Sequence, residues 1–219
     1  MTISLDEARR RCRRQSDYLI TMFVTNPLAV WLTWLLLPTR ITPNHVTLLS
    51  LASALACALA YSQGAFLAGA VLLFLSHVLD CVDGNLARVR GVGSTGGKLL
   101  DMVADRIGEG AIFIGVAWHF HSINPDMALL AIADGLLLVL YYYIVDIGLT
   151  LIPNTSSPSM RGWCYQGVRL KWGLMEPVIY GFIAFSLIGR IDLHLYMVFI
   201  LVIGGLVYQS YKIVRLVRS

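Results

Sequence analysis

The chain has 219 residues, 57% of them hydrophobic and 14% charged, with a mean hydropathy of +0.70. A soluble domain is about 45–50% apolar and about 25% charged, so a water-soluble fold, a disordered chain and a disulfide-stapled secreted module are all excluded. Lys and Arg total 17 against 13 Asp and Glu, a net +4, and the composition is that of a polytopic membrane protein.

The first basic cluster is Arg9, Arg10, Arg11, Arg13 and Arg14. It precedes a hydrophobic chain, so attraction to anionic cytoplasmic lipid explains it better than nucleic-acid binding. Residues 4–16 are predicted to form a basic amphipathic surface helix. Residues 18–37 are apolar but interrupted at Asn26-Pro27, and Trp31 and Trp34 favour the interface. This stretch is expected to lie on the membrane as a bent helix. Residues 1–44 therefore read as a juxtamembrane segment and 45–219 as the membrane domain.

Apolar windows of near-spanning length fall at about 45–63, 65–82, 98–119, 127–148, 173–189 and 193–212. The expected fold is all-α, six transmembrane helices preceded by an amphipathic surface helix. Residues 149–172, with Pro153 and Pro158, read as one long irregular loop. With the N-terminus inside, Arg40, Arg88, Arg90, Lys98, Arg161, Arg169, Lys171, Lys212, Arg215 and Arg218 fall on one face and Arg190 on the other. Both termini are therefore expected to be cytoplasmic. Cys12, Cys57, Cys81 and Cys164 have no metal-binding or disulfide spacing and read as reduced packing residues.

The second and third predicted spans carry carboxylates where an ionised group is costly. Asp80 and Asp83 are three residues apart and Asp101 and Asp105 four apart, so each pair shares a helix face. Two helices joined by a turn can point these faces at each other. Four converging carboxylates call for a cation, and hard oxygen donors select Mg²⁺, Mn²⁺ or Ca²⁺ over zinc. Two such ions would bind a diphosphate and support displacement at phosphorus. Gly84 permits close approach, Ala87 leaves space and Arg88 offers a fork for phosphate oxygens.

The arrangement Asp80-x2-Asp83-Gly84-x2-Ala87-Arg88-x8-Gly97-x3-Asp101-x3-Asp105 resembles the signature of the CDP-alcohol phosphotransferase family at every fixed position. Thr42-Pro43-Asn44-His45-Val46-Thr47 is similar to the family's entry to its first span. The resemblance implies transfer of a phosphoryl-alcohol group from a CDP-alcohol donor such as CDP-diacylglycerol to an acceptor hydroxyl, releasing CMP. It implies Asp80, Asp83, Asp101 and Asp105 as ligands of Mg²⁺ or Mn²⁺, two ions in all, with Asp105 also the catalytic base. Gly84, Ala87, Arg88, Asn44 and Thr47 would bind CDP. A homodimer in the bacterial inner membrane, with the active site on the cytoplasmic side, is also implied.

The segment from Asp101 to Gly110 and the region from Asn26 to Asn44 look like those of family members that use inositol phosphates. Choline, ethanolamine and glycerophosphate acceptors stay open, because the signature reads only the CDP portion. A prenyl-diphosphate transferase and a cation transporter are the readings from other classes. Arg161, Arg169 and Lys171 are either plain positive-inside anchors or recognise a phosphorylated acceptor. Asp134, Asp146 and Glu176 either line the acceptor pocket or bond neighbouring helices. Arg106 and Glu109 are expected to pair with each other.

Overall fold

The computed structural model describes residues 3–151, 159–165, 168–171 and 173–217, with side chains described outside 146–151, 159–165, 171 and 216–217. The chain is mostly helical. Helix α1 (Leu5–Cys12) opens the fold: the Ser4 hydroxyl accepts from the Glu7 N–H at 3.2 Å, acidic residues sit in the first turn and arginines in the last. Glu7 pairs with Arg11 at 2.8 Å and Arg10 at 2.7 Å, and these hydrogen bonds hold its exposed carboxyl below the usual range. The predicted surface helix extended to residue 16, but Arg13 is already extended and the chain enters a strand. Ala8 and Cys12, one turn apart, are buried as α1 packs on its neighbours α2 and α4.

Strand β1 (Ser16–Tyr18) is followed by a wide π-helical turn at Thr21–Thr25, and α2 (Asn26–Leu36) begins at the Asn26-Pro27 step. Proline lacks the N–H that would continue the preceding ladder, and it fits a helix start. The expected break is therefore present, as a change of helix type. The 149–172 region is not wholly irregular. Strands β2 (Ser159–Tyr165) and β3 (Val168–Lys171) join β1 in a sheet of order β1-β3-β2, with β1 parallel to β3 and β2 antiparallel to it. Val168 and Leu170 are buried while Arg169 is exposed, the alternation expected of a strand. The all-α expectation is corrected to this extent.

The remaining helices are α3 (Pro43–Ser62), α4 (Phe66–Arg90), α5 (Thr95–Phe120), α6 (Pro125–Leu151), α7 (Met175–Leu187) and α8 (Ile191–Val217). They coincide with the six predicted windows. Four contain stretches long and apolar enough to cross a membrane: Pro43–Ser62, Phe66–Arg90, Pro125–Val145 and Ile191–Arg215. Helix α5 has the length but carries Lys98, Asp101, Asp105, Arg106 and Glu109. Helix α7 has 13 residues, about 20 Å at 1.5 Å per residue. Large apolar side chains such as Leu59, Leu67, Leu129, Leu136 and Ile200 face outward, as in a protein whose solvent is lipid.

Close contacts set the helix spacing. A Cβ on Gly108 would lie 2.9 Å from Ala54 Cβ, and one on Gly115 would lie 2.2 Å from the Ala58 carbonyl oxygen. Helices α3 and α5 thus approach through small residues. Between α3 and α4, the Ser50 hydroxyl donates to the Ser76 carbonyl at 2.8 Å and the Ser76 hydroxyl to the Ser50 carbonyl at 3.0 Å. Tyr61, Phe113, Phe182, Leu138 and Val198 fill the main core, and a second cluster of Ala29, Val46, Val78, Val82 and Leu86 joins α2, α3 and α4.

Gly115→Ala should cost about 1–3 kcal/mol through overpacking against backbone, measured as a fall in unfolding temperature in detergent. Gly110→Ala, whose Cβ would meet nothing within 4 Å, should not lower that temperature, since alanine favours the helix.

Candidate functional site

The site lies where α4 descends toward its C-terminus and α5 begins. Helix α4 ends at Gly91 in the left-handed conformation (φ 67°), a natural stop for a non-β-branched turn. Helix α5 starts after Ser94, whose hydroxyl accepts from Gly97 N–H at 3.0 Å. Ser94 is therefore a helix cap. The short turn makes α4 and α5 face each other, and the two carboxylate pairs converge as their spacing predicts.

Asp80, Asp101 and Asp105 each place one carboxylate oxygen within 4.8 Å of the others. Asp101 Oδ1 is buried with no hydrogen-bond partner. Asp83 stands beside them: it is buried, and its Oδ2 accepts from the Thr47 hydroxyl at 2.6 Å. All four carboxylates line one cavity of about 60 Å³, together with Thr47, Ser50, His77 and Glu109. Three carboxylate oxygens at this separation fit a hard divalent cation.

A larger cavity of about 500 Å³ adjoins it, sharing Thr47, Asp83 and Asp101. Asn44, Thr47, Gly84, Ala87 and Arg88, singled out from the sequence, all line it, with Gly97 and Lys98. A Cβ on Gly84 would lie 3.3 Å from Arg88 Nη1, and one on Gly97 would lie 3.4 Å from Asn44 Oδ1. These glycines keep the cavity wall low. Arg88 is steadied by a 2.5 Å hydrogen bond from Nη2 to Asn85 Oδ1. Its guanidinium borders a space large enough for a nucleotide-sized anion.

Other expectations are placed differently. Arg106 pairs with Glu109 as expected and stacks 3.7 Å above the Tyr142 ring. Glu176 bonds a neighbouring segment, accepting from the Thr21 N–H at 2.8 Å. Asp134 is fully buried in α6 with neither oxygen hydrogen-bonded. Arg169 is exposed on β3 and lines neither cavity. The side chains of Arg161, Lys171, Asp146 and Cys164 lie outside the described residues. Cys12, Cys57 and Cys81 are buried free thiols.

Three residues at the site were not singled out from the sequence. Lys98 adds a cation to the larger cavity. His77 lines the carboxylate cavity and lies 3.3 Å from the Thr21 hydroxyl. Arg14 reaches over Gly84 from the N-terminal segment. Lys98 and His77 sit on the signature helices and could have been found by face; Arg14 arrives through tertiary structure.

Thr47→Val would remove the bond that orients Asp83. Outer-shell losses of this kind lower metal affinity by about 10- to 100-fold. Titration of Mn²⁺ followed by electron paramagnetic resonance should show that loss, and Thr47→Ser should restore most of the affinity.

The family model of CDP-alcohol phosphatidyltransferases matches residues 40–163. A phosphatidylinositol phosphate synthase of Mycobacteroides abscessus is 36% identical over 96 residues, 43% of this chain and 42% of that one. Its counterpart in Mycobacterium tuberculosis is 38% identical over 96 residues, again 43% and 42%. The match thus spans less than half the length of these relatives. The solved structure of the M. tuberculosis phosphatidylinositol phosphate synthase with CDP-DAG bound aligns with a TM-score of 0.65 at 22% identity, covering 86% of this chain and 92% of that one. The same enzyme in complex with manganese and citrate gives 0.64 at 21% identity, covering 86% and 88%. At these identities the alignment establishes a shared fold.

Proposed function

We propose, from the premise that this chain belongs to the CDP-alcohol phosphatidyltransferase family, that it transfers the phosphatidyl group of CDP-diacylglycerol to a hydroxyl of an inositol phosphate and releases CMP. The observation that carries this reading is the junction of the two cavities, the four aspartates in one and Asn44, Thr47, Gly84, Ala87 and Arg88 around the other. The inositol phosphate acceptor is supported by the relatives, which are phosphatidylinositol phosphate synthases.

In this reading Asp80, Asp83, Asp101 and Asp105 hold two ions of Mg²⁺ or Mn²⁺. Bound there, such ions would supply positive charge to a diphosphate and to a departing CMP. Arg88 binds a phosphate oxygen through its guanidinium fork. Gly84 and Ala87 let the nucleotide lie against α4 where larger side chains would exclude it. Asp105 accepts the proton of the acceptor hydroxyl as that oxygen forms its bond to the lipid-linked phosphorus. The bond from this phosphorus to the bridging oxygen breaks, and its electron pair leaves on CMP. Atoms and charge balance without any other reactant.

Arg161, Arg169 and Lys171, on β2 and β3, are the proposed site for the acceptor's phosphate. Helices α3 to α8 are read as six spans. Helix α5 is admitted because its charges face the site, and α7 because it is packed inside the bundle. Arg88, Arg90 and Lys98 cluster at the α4–α5 end, whereas Arg190 lies between α7 and α8. That asymmetry supports an active site on the cytoplasmic side of a bacterial inner membrane.

The test uses purified protein in phospholipid nanodiscs with CDP-diacylglycerol, Mn²⁺ and a panel of acceptors, with CMP release as the readout. Release with inositol phosphate, and a fall in kcat of about 10²- to 10⁴-fold in Asp105→Asn, are expected. No release with any acceptor, or undiminished release in Asp105→Asn, overturns the assignment. Release with glycerol phosphate or choline alone replaces the acceptor.

A further inference from the structure

Arg14 lies outside the segment matched by the family model, yet from a neighbouring cavity that it lines with Asp17 and Asn26 its guanidinium comes close to Gly84, on the wall of the larger site cavity. A Cβ on Gly84 would lie 3.6 Å from Arg14 Nη2 and 3.3 Å from Arg88 Nη1. Two guanidinium groups from distant parts of the chain therefore share the surface of one glycine, a turn beyond Asp80. Arg14 is also close enough to Asp80, Asp101 and Arg88 for its charge to act on each.

The position of Arg14 is imposed by the fold. The following residue, Gln15, accepts at its carbonyl from the Arg169 N–H at 3.0 Å, and Ser16, Asp17 and Tyr18 run parallel to Arg169, Leu170 and Lys171. The strand pairing holds Arg14 over α4. Its hydrogen-bonding capacity is left largely unspent. Asp17 is the acidic neighbour, at 3.8 Å, too far for a hydrogen bond. The Asp17 oxygens are engaged by the Tyr18 N–H at 2.9 Å and the Asn26 amide at 3.3 Å. Arg14 Nε is buried without a partner. Two like charges side by side, one with a desolvated and unsatisfied donor, are the arrangement that a doubly charged phosphate relieves.

We propose that Arg14 is a donor-binding residue: with Arg88 it forms a two-guanidinium clamp across Gly84 that grips the diphosphate, so that part of the donor site comes from the N-terminal segment rather than from the signature. This rests on the CDP-alcohol reading given above. The aspartates of α4 and α5 with their cations would hold the diphosphate together with the clamp at Gly84. The clamp reads the second phosphate, so it should separate CDP from CMP.

Binding of CDP and of CMP, each with Mn²⁺, is measured by calorimetry on the full chain in nanodiscs. Arg14→Gln should weaken CDP by about 10- to 100-fold, the worth of charge-assisted hydrogen bonds, and CMP by no more than about threefold. Asp17→Asn, which removes the acidic neighbour and leaves the guanidinium, should keep CDP affinity within about threefold. Arg14→Lys keeps the charge but loses the fork, and should fall between, at about 3- to 10-fold. If Arg14→Gln does not fold, Arg14→Lys decides. Unchanged CDP affinity in the Arg14 variants overturns the proposal. So does an equal loss of CDP and CMP shared by Asp17→Asn, which would mark Arg14 as a packing residue. If the wild-type chain binds CMP and CDP not at all, the donor reading itself fails and the clamp fails with it.

Discussion

The structure depends on holding negative charge inside an apolar bundle. One ionised carboxylate at the middle of a membrane helix costs about 3 kcal/mol or more, and here four aspartates and Glu109 line a single cavity. Much of what surrounds them offsets that cost. Thr47 donates to Asp83, Arg88 and Arg14 bring positive charge to the Gly84 surface, and the three-oxygen cluster has the geometry for a cation. The same pressure explains why, among the described residues, α5 has no stretch apolar enough to cross a membrane, unlike α3, α4, α6 and α8. Its site-facing charges are tolerated because α3 and α6 pack against it.

Converging carboxylates are useful only if the helices that carry them keep a fixed separation. Contacts with α3 secure this on both sides. Gly108 and Gly115 bring the α5 backbone against Ala54 and Ala58, while the reciprocal Ser50 and Ser76 bonds tie α3 to α4. Helix α3 therefore acts as the template against which Asp80 and Asp101 are aligned, and Thr47, on that same helix, sets Asp83. A helix contributing no carboxylate determines how the four meet. This also accounts for the Thr42 cap, in which His45 closes a reciprocal box. It fixes where α3 begins, and hence the depth at which Asn44 and Thr47 enter the site.

What the sequence discloses follows from interaction range. The carboxylate pairs, Gly84 and Arg88 lie on single helices at three- and four-residue spacing, so their shared faces could be read directly. The six apolar windows coincide with α3 to α8 for the same reason. The three-stranded sheet was not legible, although Val168-Arg169-Leu170-Lys171 alternates in polarity, because its partner Ser16–Tyr18 is some 150 residues away and three residues long. Glu176 could be read as a pocket group or a helix bond until Thr21 was seen beside it. The bonds that decide such residues join distant segments, and no local period announces them. The 13-residue length of α7 was hidden differently, since apolar residues continue past the helix end at Leu187.

The N-terminal arginines show how one sequence feature can serve two physical demands. As a cluster beside a hydrophobic chain, they satisfy the electrostatics of an anionic cytoplasmic leaflet, and that explanation needs no particular arginine. The fold makes them unequal. Arg10 and Arg11 are engaged by Glu7 on α1, whereas Arg14 lies past the helix end, two residues before a strand, with its guanidinium beside Gly84 of α4. The parallel pairing of β1 with β3 draws Arg14 toward the site, and it also places Arg169 and Lys171 beside the same segment. A small sheet at the rim of a helical bundle thus couples the N-terminal segment to the loop proposed to receive the acceptor. Its place beside Gly84 and Arg88, with a buried and unpartnered Nε, and not the local density of positive charge, sets Arg14 apart from the neighbours that serve the membrane.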